Sequence, residues 1–197
     1  MSQLQRGDLY SLEKYAQIRP DFRREIMTYK RDRQLPIGPN ATLYFEDRRT
    51  IQYQVQEILR VERIFDPGEI EDELAAYNPL IPDGHNWKAT FMLEYPDEEA
   101  RRRQLARLVG VENRVWVQVG EHDPVWPVAD EDLERSTPDK TSSVHFLRFE
   151  LTPAMVREAR DGATLRAGID HEHYRYRVDP VPDNVARSLA GDLTAAD

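Results

Sequence analysis

Two histidines near the end of the chain have a spacing that suits metal binding. His171 and His173 stand two apart in a stretch predicted to be a strand, and alternate residues of a strand point to the same side. Their imidazoles would then chelate one divalent transition metal ion, such as zinc, iron, copper or nickel. Glu62, and after it Glu57, are carboxylates that could complete the ligand set. The alternative is that both histidines are hydrogen-bonded at the edge of a sheet.

A second group of polar residues lies on the central helix, predicted to begin at Thr50. It comprises five side chains: Arg49, Gln54, Glu57, Arg60 and Glu62. Gln54 and Glu62 fall within the predicted apolar stripe of this helix, where a polar group without a partner costs roughly 1 to 3 kcal/mol. Glu57 and Arg60 lie one turn apart and can form an ion pair. The group is interpreted either as a buried hydrogen-bond network or as a ligand or metal site.

Other candidate residues give weaker signals. Glu121, His122 and Asp123 have the types of a proton relay, but they lie in a predicted turn, where charged residues are usually solvated. His145 shares its strand face with apolar residues and is interpreted as a hydrogen-bonded core or edge histidine. The sequence contains no G-x-S-x-G elbow, glycine-rich nucleotide loop, H-E-x-x-H or Glu-x-x-His. Serine hydrolase, nucleotide-binding and di-iron chemistry are therefore disfavoured.

Hydrophobic periodicity predicts the elements that position these residues. Alternating apolar residues predict strands at 42–45, 87–95, 114–119, 144–151 and 165–178. Periodic stripes and capping residues predict helices at 8–19, 20–33, 50–65, 69–77, 97–109 and 153–162. The register of the last strand flips near His173, which suggests a bulge or tight turn there. The 129–143 segment has no periodicity and is predicted to be an exposed loop long enough to act as a lid.

The helix over 50–65 is the most regular amphipathic element of the sequence. Thr50 is predicted to be its N-cap, because a threonine hydroxyl can accept a hydrogen bond from a free N–H of the first turn. At about 100° per residue, one face carries the apolar side chains Ile51, Val55, Ile58, Val61 and Phe65. This helix and those beginning at Pro20, Asp97 and Pro153 are expected to cover the sheet.

Composition narrows the functional classes. The chain has 197 residues, no cysteine and a net charge of −9, so it cannot form disulfides or ligate iron–sulfur clusters through its own thiolates. The negative charge disfavours nucleic-acid binding, including by the arginines at 101–107. No apolar run approaches the roughly 18 residues of a membrane span, and the N-terminus lacks a signal-peptide pattern. No membrane insertion and a cytoplasmic location are therefore expected.

Several blocks of the sequence are similar to the bacterial domain-of-unknown-function family 3501. They are SLEKYAQIRPDFR, GPNATLYFEDRRTIQYQVQEILRVERI, YNPLIP, WKATFMLEYPDEEARR and VHFLRFEL. The resemblance extends to an Arg-Thr step, the Gln and Glu of the central helix, and an Asp-His followed by Tyr. These positions are Arg49, Thr50, Gln54, Glu57, Asp170, His171 and Tyr174. His173 does not belong to that pattern.

The resemblance implies partners rather than an activity, because the family has no assigned function. It implies that rubrerythrin-like proteins and cysteine-rich iron–sulfur proteins are partners of this chain. A protein without cysteine would then be an accessory component of a redox system, or would hold its own metal through histidine and carboxylate.

These features together predict a single α+β domain over 1–180, with an antiparallel or mixed sheet packed with several helices. Its parts are N-terminal helices at 1–40, a central strand–helix unit at 41–77, and a sheet with two helices at 87–178. A weak helix and a flexible tail are predicted at 181–197. The leading functional prediction is an accessory or binding protein of a redox system. The alternative is a metal-dependent enzyme or metal-binding protein.

Overall fold

Eight strands pair into two antiparallel sheets within residues 2–194, which are the residues that this computed structural model describes. The strands are β1 (Gln34–Pro36), β2 (Ala41–Glu46), β3 (Asn86–Leu93), β4 (Val115–Val119), β5 (Val128–Ala129), β6 (Val144–Glu150), β7 (Leu165–His171) and β8 (Tyr174–Val178). The helices are α1 (Leu12–Lys30), α2 (Arg48–Glu62), α3 (Pro67–Tyr77), α4 (Glu98–Arg107), α5 (Pro153–Arg160) and α6 (Asp183–Ala190). The predicted single α+β domain is confirmed.

The two sheets share one hydrophobic core. The larger has the order β1-β2-β3-β6-β5, and the smaller has the order β4-β7-β8. Along β3 the alternating residues Trp87, Ala89, Phe91 and Leu93 are buried, as the period of two in the sequence predicts. They pack with β4, β7, α5 and α6. The opposite face of the large sheet is half-buried, and it carries Lys88, Phe146 and Arg148.

α1 is one helix where the sequence predicted two. Pro20 lies inside it, although proline usually ends a helix because it removes a hydrogen bond and clashes with the preceding turn. Here Pro20 is exposed, so the carbonyl that it leaves unbonded lies on the solvent side. Beyond Pro20, the ring of Phe22 packs edge-on against Tyr10 and Tyr15, with centroids 6.1 and 6.0 Å away. Tertiary contacts on both sides of Pro20 therefore hold the helix together.

α2 begins earlier than predicted, and its buried face is only partly the predicted one: Ile51 and Val55 are buried as expected. Asp47 is its N-cap, and Thr50 completes a capping box with it. Val61 and Phe65 are 64% and 73% exposed, so their assignment to the buried stripe was wrong. Ile51, Tyr53, Val55, Gln56 and Leu59 are the buried apolar and amide positions. The face differs because the N-terminal segment packs on α2, with Gln56 bonded to both main-chain groups of Tyr10.

The first three helices form a second, smaller core and do not simply cover the sheet. Ile51, Val55 and Leu59 of α2 meet Leu4 and Leu74 there. The expectation that the early helices pack mainly on the sheet is thus corrected. Among residues 2–194, no helix combines the length and the apolar composition that crossing a bilayer requires.

The C-terminal region contains a helix as predicted, α6, but the region is folded into the main core and is not a flexible tail up to residue 194. Val185, Leu189 and Leu193 are each less than 5% exposed. The indole N–H of Trp87 donates to the Leu189 carbonyl at 2.9 Å. Asp192 forms a buried ion pair of 2.6 Å with Arg33. Residues 195–197 of the predicted tail lie outside the described residues.

Candidate functional site

The predicted polar residues of the central helix fall into two groups. Some lie exposed at its surface, and the others belong to a hydrogen-bonded cluster around Glu57, the Glu57 clamp. Gln54 and Glu62 are exposed, which corrects the prediction that they point inward. Arg49 lies at the surface, where it pairs with Glu25 at 3.4 Å and stacks over a tyrosine ring at 4.8 Å. The predicted pair of Arg60 and Glu57 is present at 3.2 Å.

Glu57 is the centre of this clamp. Arg19 of α1 donates to its two carboxylate oxygens at 2.7 and 2.8 Å, and the Tyr15 hydroxyl donates at 2.7 Å. The hydrogen bonds from Arg19, followed by those from Tyr15 and Arg60, outweigh partial burial and lower the pKa of Glu57 to about 2. Burial and the hydrogen bond to Glu57 raise the pKa of Tyr15. The group therefore joins α1 to α2 and leaves no carboxylate oxygen of Glu57 without a donor.

His171 and His173 are close, but the rest of the predicted metal set is elsewhere. Their ring centroids are 5.9 Å apart. His171 Nδ1 accepts from the His173 main-chain N–H at 3.2 Å, and His171 Nε2 lies 3.1 Å from the Val109 carbonyl. Over residues 2–194, no three histidine, aspartate or glutamate side chains are grouped so that they could hold a metal ion. The predicted combination of both histidines with Glu62 is therefore not assembled among these residues.

Asp170 and Tyr174, the resemblance positions on either side of His171, have structural partners. Asp170 accepts from Arg114 at 3.2 Å and forms an ion pair with Arg175 at 3.1 Å. The Tyr174 hydroxyl donates to the Ile37 carbonyl at 2.8 Å and accepts from the Asn40 N–H at 3.0 Å. Tyr174 thereby links the small sheet to the loop between β1 and β2.

A cavity that the sequence did not reveal opens on the outer face of the large sheet. It has a volume of about 250 Å³ and lies between the C-terminal end of α3 and strands β3 and β6. Its apolar walls are Ala76, Tyr77, Pro79, Leu80, Phe146 and Leu147. Its charged rim is Lys88, Glu131, Asp132, Arg135 and Arg148. Concave apolar walls with a few convergent polar groups are typical of binding sites.

The cations of this rim are held by oxygen atoms of the protein. Lys88 Nζ donates to the Pro79 and Ile81 carbonyls at 2.7 and 3.0 Å, and burial lowers the pKa of Lys88. Arg148 forms two hydrogen bonds of 2.9 Å with Glu131. The rim is thus rigid and its charges are nearly balanced.

Arg135 connects the cavity with a buried histidine. Its guanidinium lies 4.5 Å from the centroid of the Phe146 ring, pairs with Asp132 at 2.5 Å and reaches Asp130 at 3.3 Å. Asp130 in turn accepts from His145 Nδ1 at 2.6 Å. The φ angle of Asp130 is +51°, a left-handed conformation that non-glycine residues rarely adopt. The surrounding hydrogen bonds offset the cost of this conformation.

The other ring nitrogen of His145 contacts the C-terminal end of the 130–143 segment, which begins at Asp130. Its Nε2 contacts the Thr141 hydroxyl at 2.8 Å and the Ser142 carbonyl at 3.1 Å. Thr141 Oγ1 donates to Glu112 at 3.3 Å, and the Ser136 hydroxyl donates to Glu112 at 3.0 Å. His145 therefore holds both ends of the 130–143 segment against β6.

The order Asp130, His145, Thr141 matches the order of groups in a hydrolase triad. However, His145 is 0% exposed and Thr141 is 2% exposed, and the Thr141 hydroxyl is bonded to Glu112. A substrate in the cavity does not reach that hydroxyl, so the network positions the segment instead of attacking a ligand. The interpretation of His145 as a hydrogen-bonded core histidine is confirmed. Its partners gave no signal in the sequence because they come from an aperiodic loop and a short 3-10 helix.

The comparisons with known proteins agree with one another. A family model described as "Protein of unknown function (DUF3501)" matches residues 3–193. The chain is similar to the crystal structure of a novel protein of unknown function from Burkholderia pseudomallei K96243. The identity is 49%, the TM-score is 0.91, and the match covers 98% of this chain and 100% of that chain. No curated protein matches the chain. Neither description names an activity.

Proposed function

The chain belongs to the DUF3501 family, whose description gives no function. We propose a function that rests on the cavity on the large sheet. The protein is an accessory binding protein that holds a partner protein by non-covalent contacts. The cavity takes up an apolar side chain of the partner, and the charged rim meets the polar groups beside it.

The observation that carries this proposal is the combination of apolar walls with charges that are already paired. Tyr77, Leu80 and Phe146 offer a surface that gains free energy when an apolar group displaces water. Arg135 and Arg148 already donate to carboxylates, so they orient a partner without demanding a counter-charge from it. A fixed, nearly neutral pocket of this kind favours binding over proton transfer.

The 130–143 segment makes the cavity a preorganised one. Glu131, Asp132 and Arg135 belong to this segment and form part of the rim. The segment is held from behind by His145 through Asp130 and Thr141. A rim that is fixed before binding reduces the entropy cost of association.

The family resemblance supplies the partner class. It implies a rubrerythrin-like protein or a cysteine-rich iron–sulfur protein, and the chain itself has no cysteine. In such a pair the partner carries the iron centre, and this protein contributes the docking cavity. The redox part of the proposal is supported by the resemblance alone.

Filling the cavity tests the proposal. The chain is mixed with a purified rubrerythrin-like protein and, separately, with a cysteine-rich iron–sulfur protein from the same genome, and binding is measured by calorimetry. Ala76 is exposed on α3 and lines the cavity, so Ala76→Phe blocks its mouth without disturbing a core. We expect Ala76→Phe to weaken binding about tenfold or more, which corresponds to about 1.4 kcal/mol.

Ala75→Phe is the matched control. Ala75 is the neighbouring exposed alanine of α3 and lines a different groove. This variant should bind like the unmodified protein. Binding that Ala76→Phe leaves unchanged would exclude the cavity as the docking site. Failure of both candidate partners to bind would exclude the redox assignment.

A further inference from the structure

The outer face of the small sheet carries two tryptophans and several arginines, none of which lines the cavity on the large sheet. Trp116 lies flat on β7, because residue 168 is glycine and a Cβ there would come within 2.4 Å of the indole. Arg177 lies over Trp116 at 5.9 Å, and Arg114 lies over Trp126 at 5.1 Å. A cleft of about 440 Å³ runs between these stacked pairs. Trp126 is 44% exposed, so the aromatic surface is open to solvent.

This face is locally positive although the chain as a whole is acidic. Asp170 is shared by Arg114 and Arg175 at 3.2 and 3.1 Å. Asp179 is shared by Arg166 and Arg177 at 3.0 and 2.7 Å. The additional carboxylate near Arg166 is that of Glu121, which is 3.4 Å away and 93% exposed. Because two arginines share each aspartate, the guanidiniums retain capacity for further carboxylates.

The strand that carries two of these arginines has an unpaired edge. β7 and β8 are joined by a two-residue turn, and His171 pairs with Tyr174 next to it. In such a hairpin the residues next to the turn exchange both main-chain hydrogen bonds, and the bonding then alternates along the ladder. The N–H and C=O groups of Arg175 and Arg177 therefore point away from β7. Within the described residues, β8 makes no main-chain hydrogen bond except to β7.

We propose that β8 binds an extended acidic segment of another protein by antiparallel strand addition. Residues of the added strand directly opposite Arg175 and Arg177 would place their side chains on the Trp116 face. Aspartate or glutamate at these two positions pairs with the arginines, which are 72% and 56% exposed. The residue between them faces the side of Tyr176, which is 44% exposed. The partner segment thus has the pattern acidic, apolar, acidic.

The spacing of the free groups favours a peptide over single-stranded nucleic acid. Nucleic acid also stacks on tryptophan and arginine, but it has no main-chain groups to pair with the alternating N–H and C=O groups of a strand edge. The net charge of −9 further opposes a long polyanion. A short segment with two carboxylates matches both the edge and its charge.

A designed peptide tests this proposal on the full chain. The probe is fluorescein-labelled Gly-Ser-Glu-Val-Glu-Val-Glu-Ser-Gly, and its isomer with the three glutamates adjacent is the control. Binding is measured by fluorescence anisotropy, and amide hydrogen exchange is followed by NMR. We expect the alternating peptide to bind at least about fivefold more tightly than its isomer. It should also protect the amides of Arg175 and Arg177 from exchange.

Two pairs of variants separate main-chain pairing from charge. Arg175→Pro removes the outward N–H and the charge, whereas Arg175→Ala removes only the charge, and an edge strand tolerates proline at such a position. We expect Arg175→Pro to bind the probe several-fold more weakly than Arg175→Ala. Replacing both Arg175 and Arg177 by glutamate should weaken binding about tenfold and create binding to the peptide with lysines in place of glutamates.

The proposal is overturned by any of three results. These are no binding of the alternating peptide, equal binding by Arg175→Pro and Arg175→Ala, and displacement of the peptide by a single-stranded oligonucleotide. The last result would assign the surface to nucleic acid. None of these results bears on the cavity, because the cavity lies between α3 and the large sheet and is lined by other residues.

Discussion

Glu57 stabilises the contact between α1 and α2 through its charge. It receives two hydrogen bonds from Arg19 and one from Tyr15, and its side chain is 19% exposed. Its pKa of about 2 in the folded protein lies below the ordinary value of 4.5. A depressed carboxyl pKa contributes stability that is present above the unfolded-state value and lost as the pH falls through the folded-state value.

We expect Glu57→Gln to lower the free energy of unfolding by about 2 kcal/mol at pH 7, because it ends a charge-assisted bidentate contact. The difference from the unmodified protein should shrink as the pH falls from about 4.5 towards 2. Urea denaturation across this pH range measures it. Glu62→Gln, an exposed position of the same helix, should stay within about 0.5 kcal/mol. A pH-independent loss for Glu57→Gln would contradict the charge argument.

Part of this clamp was predictable from the sequence. The pair of Glu57 and Arg60 follows from their spacing on one helix, and the structure has it. The stronger contact to Arg19 spans 38 positions of the chain, and no local pattern indicates which distant arginine will face a glutamate. The same limit hid the partners of His145, since Asp130 lies 15 positions away in a segment without periodicity.

At the scale of elements, α1 keeps a proline in its interior. Pro20 removes one helical hydrogen bond, which costs up to about 3 kcal/mol in an ordinary helix. The packing of Phe22 and the pairing of Arg19 offset this cost. Pro20→Ala should therefore raise the free energy of unfolding by about 1 to 2 kcal/mol, since it restores the bond but loosens the unfolded chain.

Pro153→Ala is the control for this substitution. Pro153 lies in the first turn of α5, where the backbone N–H that proline lacks would have no helical acceptor. Thermal unfolding should show a higher midpoint for Pro20→Ala and no gain for Pro153→Ala. Equal shifts for both would mean that the effect comes from the unfolded chain alone.

The helices show where periodicity is sufficient and where it is not. The strand at Trp87 was predicted correctly because one of its faces is buried and the other is half-exposed, which gives a strict alternation. The buried face of α2 was predicted only in part, at Ile51 and Val55, because the helix is covered on more than one side. Gln52 and Gln56 bind the N-terminal segment through its main chain, and main-chain donors and acceptors leave no trace in the sequence of that segment.

At the scale of the whole molecule, the division into two sheets and two cores was not predictable. The strands themselves are local patterns, but their order, β1-β2-β3-β6-β5 and β4-β7-β8, depends on pairing between distant segments. The cavity belongs to this level. Tyr77 and Phe146 both line it, and they come from a helix and a strand that only the folded chain brings together.

The C-terminal region closes the main core and ties it to the start of the large sheet. Arg33 is 2% exposed. It donates to Asp192 through two nitrogens at 3.1 and 2.6 Å and to the Phe45 carbonyl at 3.0 Å. Val185, Leu189 and Leu193 cover apolar residues of both sheets. The C-terminal region therefore joins the first and last parts of the chain through an ion pair and apolar contacts.

Deleting residues 183–197 should abolish cooperative folding. Each buried aliphatic side chain contributes about 1.5 to 3 kcal/mol, and a buried arginine that loses its carboxylate costs about 3 to 5 kcal/mol. Together these losses equal the total stability of a typical domain. Circular dichroism during urea titration should show no transition for the shortened chain. The double variant Arg33→Met and Asp192→Leu replaces the ion pair by apolar side chains and should still fold. A shortened chain with an unchanged midpoint would show that the C-terminal region contributes no stability.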